Sequence, residues 1–172
     1  KTIYIILDAV DYKSFVKSKS YERYLNIDES FTFKAFAPST VTGSSFPSLI
    51  TLQPVLTHMI GDYKQWFYSS KLESLPQELH TISEIIKHKC EYSEAFTSFS
   101  KSMPFYNYYR GFNIYKNRCT GNNYSPSAID LLMMSLLENS YLYSQLNTSF
   151  LFVHDIGGHP PVFPNINLTE KT

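Results

Sequence analysis

The chain has 172 residues, 43% hydrophobic and 17% charged, which is enough apolar sequence for one domain with a core and too much for a disordered tail. Its 15 Lys+Arg balance 15 Asp+Glu, so charge gives no reason to expect nucleic acid or an anionic membrane as the main partner. No apolar run approaches the roughly 20 residues of a membrane span, and no basic-then-apolar leader is legible.

Thr2 to Leu7 is a short apolar, β-branched run that ends at Asp8. It predicts a buried strand of a parallel sheet with a carboxylate at its C-terminal end. Phe31 to Phe36 is a second strand candidate, closed by Ala37-Pro38-Ser39. A helix is predicted from about Ser44 to Leu52, because Pro47 lacks an N–H and is best placed in a first turn. Thr81 to Lys89 carries Ile82, Ile85 and Ile86 at helical spacing, and Tyr92 to Phe96 reads as a third strand. The stretch from Lys101 to Asn123, rich in Tyr, Asn and Arg, reads as a long surface excursion. Ser125-Pro126 opens a helix to about Ser140, with Ser127 as its cap. Ser149 to Val153 is a fourth strand, ending at His154-Asp155. Alternation of strands and helices predicts an α/β domain with a mostly parallel sheet. Cys90 and Cys119 are too few for a disulfide framework or a zinc knuckle; one bridge or two free thiols both fit, the free thiols better.

Open α/β sheets bind ligands outside the carboxyl ends of their strands. Asp8, Thr42 and the pair Asp155/His159 are expected there. Thr42 falls at a predicted helix N-terminus, where free amides and the helix dipole favour a tetrahedral oxyanion. A hydroxyl in that place, held beside a divalent cation, becomes a nucleophile. The amide of Gly43 and the hydroxyl of Ser45 are candidate contacts to the equatorial oxygens of the anion. Asp155 and His159 stand four residues apart after an apolar strand, and Gly157-Gly158 permits the turn that would bring both to one cation. Mixed carboxylate and imidazole ligation suits zinc or manganese more than calcium. The competing readings are an ordinary Ser/Thr cap at Thr42, a polar turn at Asp155/His159 and a loop cap at Asp8. Asp11 is a weaker rival for the role of Asp8. His154, adjacent to the pair, points to the other face by strand alternation and reads as a supporting residue.

These residues, in this order, resemble the sulfatase family of the alkaline phosphatase superfamily. Ile5-Ile6-Leu7-Asp8-Ala9 resembles the first strand with its metal-binding Asp, and Thr42-Gly43-Ser44-Ser45-Phe46-Pro47-Ser48 resembles the nucleophile signature. The sixteen-residue step from Thr42 to His58 matches the step from nucleophile to a family His, here followed by Met59 instead of Gly. Gly111-Phe112 resembles a "Gly-Phe" segment, and Phe150 to Pro161 resembles the strand and turn that supply further ligands.

The resemblance implies a three-layer α/β/α sandwich and a metal-dependent hydrolase of phosphate or sulfate esters, acting through a covalent Thr42 intermediate. Two divalent ions are implied, with Asp8, Thr42, Asp155 and His159 among their ligands. The implied substrate is a small-molecule, glycan or lipid head-group ester. Phe46 stands where sulfatases carry Arg, and Thr cannot become the formylglycine of sulfatases proper. The Thr nucleophile and the Asp-x-x-Gly-His pattern at Asp155 to His159 are instead similar to nucleotide phosphodiesterases and phosphoethanolamine- or phosphoglycerol-type transferases. Phosphoryl transfer is therefore favoured over sulfate ester cleavage. The family also carries a later Asp-His pair, so residues 1–172 are expected to be the N-terminal portion of one catalytic domain. A rival of another class is an inactive α/β binding module in which Tyr106, Tyr108, Tyr109 and Arg110 form a recognition surface. Compartment stays open: Asn147-Thr148-Ser149 and Asn167-Leu168-Thr169 match the glycosylation triplet, which also arises by chance.

Overall fold

The computed structural model describes residues 1–8, 10, 11, 13, 17, 36–39, 42–58, 60, 74–98, 102, 104–118 and 127–155. Their elements are β1 (Thr2–Leu7), α1 (Thr42–Thr51), α2 (Val55–His58), α3 (Ile82–Ile86), β2 (Tyr92–Thr97), a 3-10 turn (Pro104–Tyr106), β3 (Ile114–Asn117), α4 (Ala128–Glu138), α5 (Ser140–Gln145) and β4 (Ser149–Asp155). The strands form one all-parallel sheet in the order β1-β4-β2-β3. The chain is thus an α/β protein, as the alternation of elements predicts.

Each face of the sheet carries its own core. Phe46 and Ile50 of α1, together with Tyr106 and Tyr108, pack against Ala95, Phe150 and Phe152 on one face. Ala128, Leu131 and Leu132 of α4, with Tyr143 of α5, pack against Phe96, Leu151 and Val153 on the other. Two faces are needed because the chain reverses direction across the sheet. It steps from β1 to β2 to β3, then returns to place β4 between β1 and β2. Crossovers of constant hand put the return helices on the opposite face.

β4 and β2 are the two inner strands of the described sheet, and with an apolar layer on each side every residue of β4 from Ser149 to Asp155 is buried. β1 differs from the expectation of a buried strand. It lies at the edge of the described sheet, and Ile3, Ile5 and Leu7 are nearly half exposed. The Lys101–Asn123 excursion also needs correction. It contains β3, and Tyr106 and Tyr108 are buried in the α1-side core. Gly111, at φ +81°, brings the chain so close to the start of α3 that a Cβ would sit 2.4 Å from the Glu84 amide nitrogen. Arg110 then donates to the carbonyls of Gln77 and Leu79 and lies 3.7 Å from the Glu84 carboxylate. The aromatic segment is therefore packed inward; of the four residues read as a recognition surface, Tyr109 alone is exposed. The Phe31–Phe36 strand candidate lies outside the described residues except for Phe36, which is exposed and not in a strand.

Helix termini follow local sequence. Thr81 and Ser127 each form a capping box, with Glu84 and Asp130 as the reciprocal partners. α1 begins at Thr42, so Pro47 lies beyond the first turn and inside the helix. The proline cannot donate to the Gly43 carbonyl. The helix survives because its inner face is anchored by Phe46, which is fully buried and contacts Tyr108, Phe152 and the His154 ring.

Candidate active site at the carboxyl rim of the sheet

β1 and β4 run side by side, with Ile6 opposite His154 and Leu7 opposite Asp155. The Asp8 amide extends this pairing by donating to the Asp155 carbonyl at 2.8 Å. Residues alternate between faces along each strand. Ile6, Asp8 and His154 therefore share the α1 face, whereas Leu7 and Asp155 belong to the α4 face.

The hydrogen bonds follow this division. The Thr42 hydroxyl donates to Asp8 Oδ2 at 3.0 Å, across a separation of 34 residues. His154 Nε2 lies 4.0 Å from the same oxygen. Asp155 instead accepts from the Ile129 amide through Oδ2 at 3.1 Å, at the N-terminus of α4. A carboxylate there meets free amides and the positive end of the helix dipole. The structure thus brings Thr42 and Asp8 together and directs the Asp155 side chain to the other side of the sheet. His159 lies outside the described residues.

The environment of each group is set by burial. His154 is almost fully enclosed, and desolvation holds its imidazole well below the ordinary histidine range, with the charges of Asp8 and Asp155 pulling the other way. Asp8 remains partly exposed. Gly43 is the second residue of α1, where an amide has no intrahelical acceptor. The Ser45 hydroxyl donates to the Ser39 carbonyl at 2.8 Å, so in this arrangement its proton closes the loop entering the helix.

Two further polar arrangements were not legible beforehand. Ser48 Oγ lies 2.8 Å from His58 Nε2, both buried, and His58 Nδ1 accepts from the Ile60 amide at 3.0 Å. An accepting Nδ1 puts the proton of a neutral ring on Nε2. His58 therefore donates to Ser48 and does not serve it as a base. Burial lowers its pKa, which keeps it in that form. On the α4 face, the fully buried Glu94 receives Lys116 Nζ at 2.8 Å, Ser135 Oγ at 3.2 Å, Tyr92 OH at 3.2 Å and the Tyr143 hydroxyl. Burial, with the hydrogen bond to the Glu94 carboxylate, pushes the Tyr143 phenol up to about 12. The signal for this cluster is an acidic residue two positions before Phe96, on the same face of β2.

Compared with known proteins, the chain matches no family model, no curated protein and no solved structure. Among the described residues, no three or more His, Cys, Asp and Glu side chains gather into a group that could hold a metal ion. No helix among them is long and apolar enough to cross a membrane. Cys90 is a free thiol.

Proposed function

We propose that the chain carries the nucleophile side of a phosphoryl-transfer site: a sulfatase-like, metal-dependent hydrolase of phosphate or sulfate esters, with phosphate favoured and Thr42 as the attacking group. The observation that carries this reading is the 3.0 Å hydrogen bond from the Thr42 hydroxyl to Asp8, made at the first residue of α1 and the carboxyl end of β1. A strand-end carboxylate and a helix-start hydroxyl, far apart in sequence, meet where open α/β sheets bind ligands. The fold part of the reading is a three-layer sandwich of the alkaline phosphatase type. An all-parallel sheet with a helical core on each face supports it.

In this reading Asp8 orients Thr42 Oγ1 and accepts its hydrogen bond. Oγ1 attacks phosphorus in line, forming the Thr42–phosphate bond as the bond to the leaving alkoxide breaks. The Thr42 proton passes to Asp8, and the alkoxide takes a proton from solvent. The Gly43 amide, at the start of the helix, faces the developing negative charge. Water then attacks phosphorus and gives a proton to solvent, the Thr42–phosphate bond breaks, and Oγ1 takes its proton back from Asp8. An acceptor alcohol in place of water makes the same site a phosphoethanolamine- or phosphoglycerol-type transferase. The donor set at Asp8 and Thr42, an anionic carboxylate touching a hydroxyl, fits a divalent ion such as zinc or manganese. A second ion on Asp155 and His159 would require the Asp155 carboxylate to leave the Ile129 amide and turn toward the α1 side of the sheet. Bound there, such ions supply charge stabilisation to the attacking and leaving oxygens.

The test is turnover of p-nitrophenyl phosphate and p-nitrophenyl sulfate by the protein loaded with zinc or manganese, with acid-quenched mass spectrometry of the Thr42 peptide. Thr42→Ala is expected to abolish the phosphorylated peptide and lower turnover by about 10³-fold or more, the scale of losing a covalent nucleophile. Turnover at the wild-type level in Thr42→Ala overturns the assignment. Products formed in the presence of ethanolamine separate hydrolase from transferase.

A further inference from the structure

The pairing register divides the side chains at the end of β4 between two faces, and the α1 face receives His154. Ile6 lies opposite His154, and Asp8, two residues on, shares that side. His154 Nε2 is 4.0 Å from Asp8 Oδ2, the same oxygen that accepts the Thr42 hydroxyl at 3.0 Å. Asp155, which sequence reading favoured as the β4 ligand, holds the start of α4 through the Ile129 amide.

We propose that His154 joins Asp8 and Thr42 as the third protein ligand of one divalent transition-metal ion, leaving an open position for an ester oxygen or water. The proposal rests on the reading that Asp8 and Thr42 face a cation, and it adds an imidazole which that reading did not include. With metal–ligand bonds of about 2.0–2.2 Å, neighbouring donors around a tetrahedral ion lie roughly 3.3–3.6 Å apart. The two distances to Asp8 Oδ2, 3.0 Å from Thr42 Oγ1 and 4.0 Å from His154 Nε2, fall on either side of that span. Closing the longer gap takes a shift of about half an ångström, within the adjustment that ligation ordinarily brings. One imidazole, one carboxylate and one hydroxyl are also the donor types that zinc and manganese accept. Phe46 packs on the imidazole with ring centroids 4.9 Å apart and fixes the plane in which the ring nitrogen is presented. Packing of this kind restricts the rotamers open to the ring at the ligand-binding rim.

The decisive measurement is a zinc titration of the metal-stripped, ¹⁵N-histidine-labelled protein, read by the long-range imidazole correlations of His154. Stoichiometric zinc is expected to move the His154 Nε2 resonance to a metal-bound position, and Asp8→Asn is expected to abolish that movement while circular dichroism stays unchanged. His154→Gln is expected to lower zinc affinity at this site by more than the about 10-fold that even an outer partner of a ligand costs, whereas Asp155→Asn leaves the His154 response in place. An unshifted His154 nitrogen at saturating zinc overturns the proposal, as does a response that survives Asp8→Asn. Should His154→Gln fail to fold, the wild-type titration with the Asp8→Asn control still decides. A zinc-shifted His154 in a protein that turns over no ester removes the proposed reaction and keeps the metal site. Ester turnover with an unshifted His154 does the reverse.

Discussion

Glu94 shows how a single residue can organise one side of the sheet. Its carboxylate accepts from donors on four elements, Lys116, Tyr92, Ser135 and Tyr143. Glu94→Gln would place an NH₂ among hydroxyl donors and leave the Lys116 ammonium without its counter-charge. The expected loss is about 1–3 kcal/mol of stability, the cost of unsatisfied buried groups, read as a lower urea midpoint at unchanged slope. Thr42 and Asp8 were legible from sequence because each sits at an element end, where polar residues stand out against an apolar run. Glu94 was not, because a charged residue in a strand ordinarily marks the solvent face. Apart from Tyr92, its partners lie 22, 41 and 49 residues away. His154 was legible as a residue on the opposite face from Asp155, but not as a neighbour of Asp8. That follows only from the β1–β4 register.

At the scale of elements, the start of α4 does two tasks. Ser127 caps it, with its Oγ accepting from the Asp130 amide at 3.0 Å while Asp130 returns the bond to the Ser127 amide. One residue on from the first turn's opening, the Ile129 amide holds Asp155. Ser127→Ala removes one half of the capping box, with an expected cost of about 1 kcal/mol, measurable by thermal or urea unfolding. Elements with a strong periodic or capping signal were legible: α4 from Ser127, α3 from Thr81 and its isoleucines, and β2 and β4 from their apolar runs. β3 was missed because Ile114–Asn117 has four residues, two of them Lys and Asn, and no alternation to read. The exposed side of β1 was missed for a related reason. A run of Thr, Ile, Tyr and Leu reads as buried on both faces, and its edge position depends on β4, contributed from the far end of the described chain.

For the molecule as a whole, the buried histidines set the response to acid. Burial holds both His58 and His154 below the ordinary value of 6.5. The folded chain therefore binds fewer protons than the unfolded chain near and below that value. Their contribution to stability is fully present above about pH 6.5 and is lost as pH falls from there through the lower folded-state values. The melting temperature is expected to fall on going from pH 7.5 to 5, before most carboxylates titrate. A flat profile over that interval would mean that neither ring is held neutral. Removing the His58 share with His58→Gln is expected to reduce the slope. This variant keeps a donor for Ser48 but not the accepting Nδ1, so it is also less stable at pH 7.5. Topology supplies the other molecular property. Because the return from β3 goes over the second face, each core is closed by its own helices, and the rim between β1 and β4 is bordered by α1 on one side and α4 on the other.

The main-chain bond between the Asp8 amide and the Asp155 carbonyl acts as a rigid joint. It welds two stretches of polypeptide from opposite ends of the described chain while their carboxylates look out over different sides. The gap between the two acids is then a ruler cut by backbone, to within a rotamer, and substitutions in the surrounding side chains leave its length alone. Changing the side chains around the rim therefore moves neither main-chain anchor, and the spacing of the two acids along the sheet edge is inherited from the backbone pairing alone.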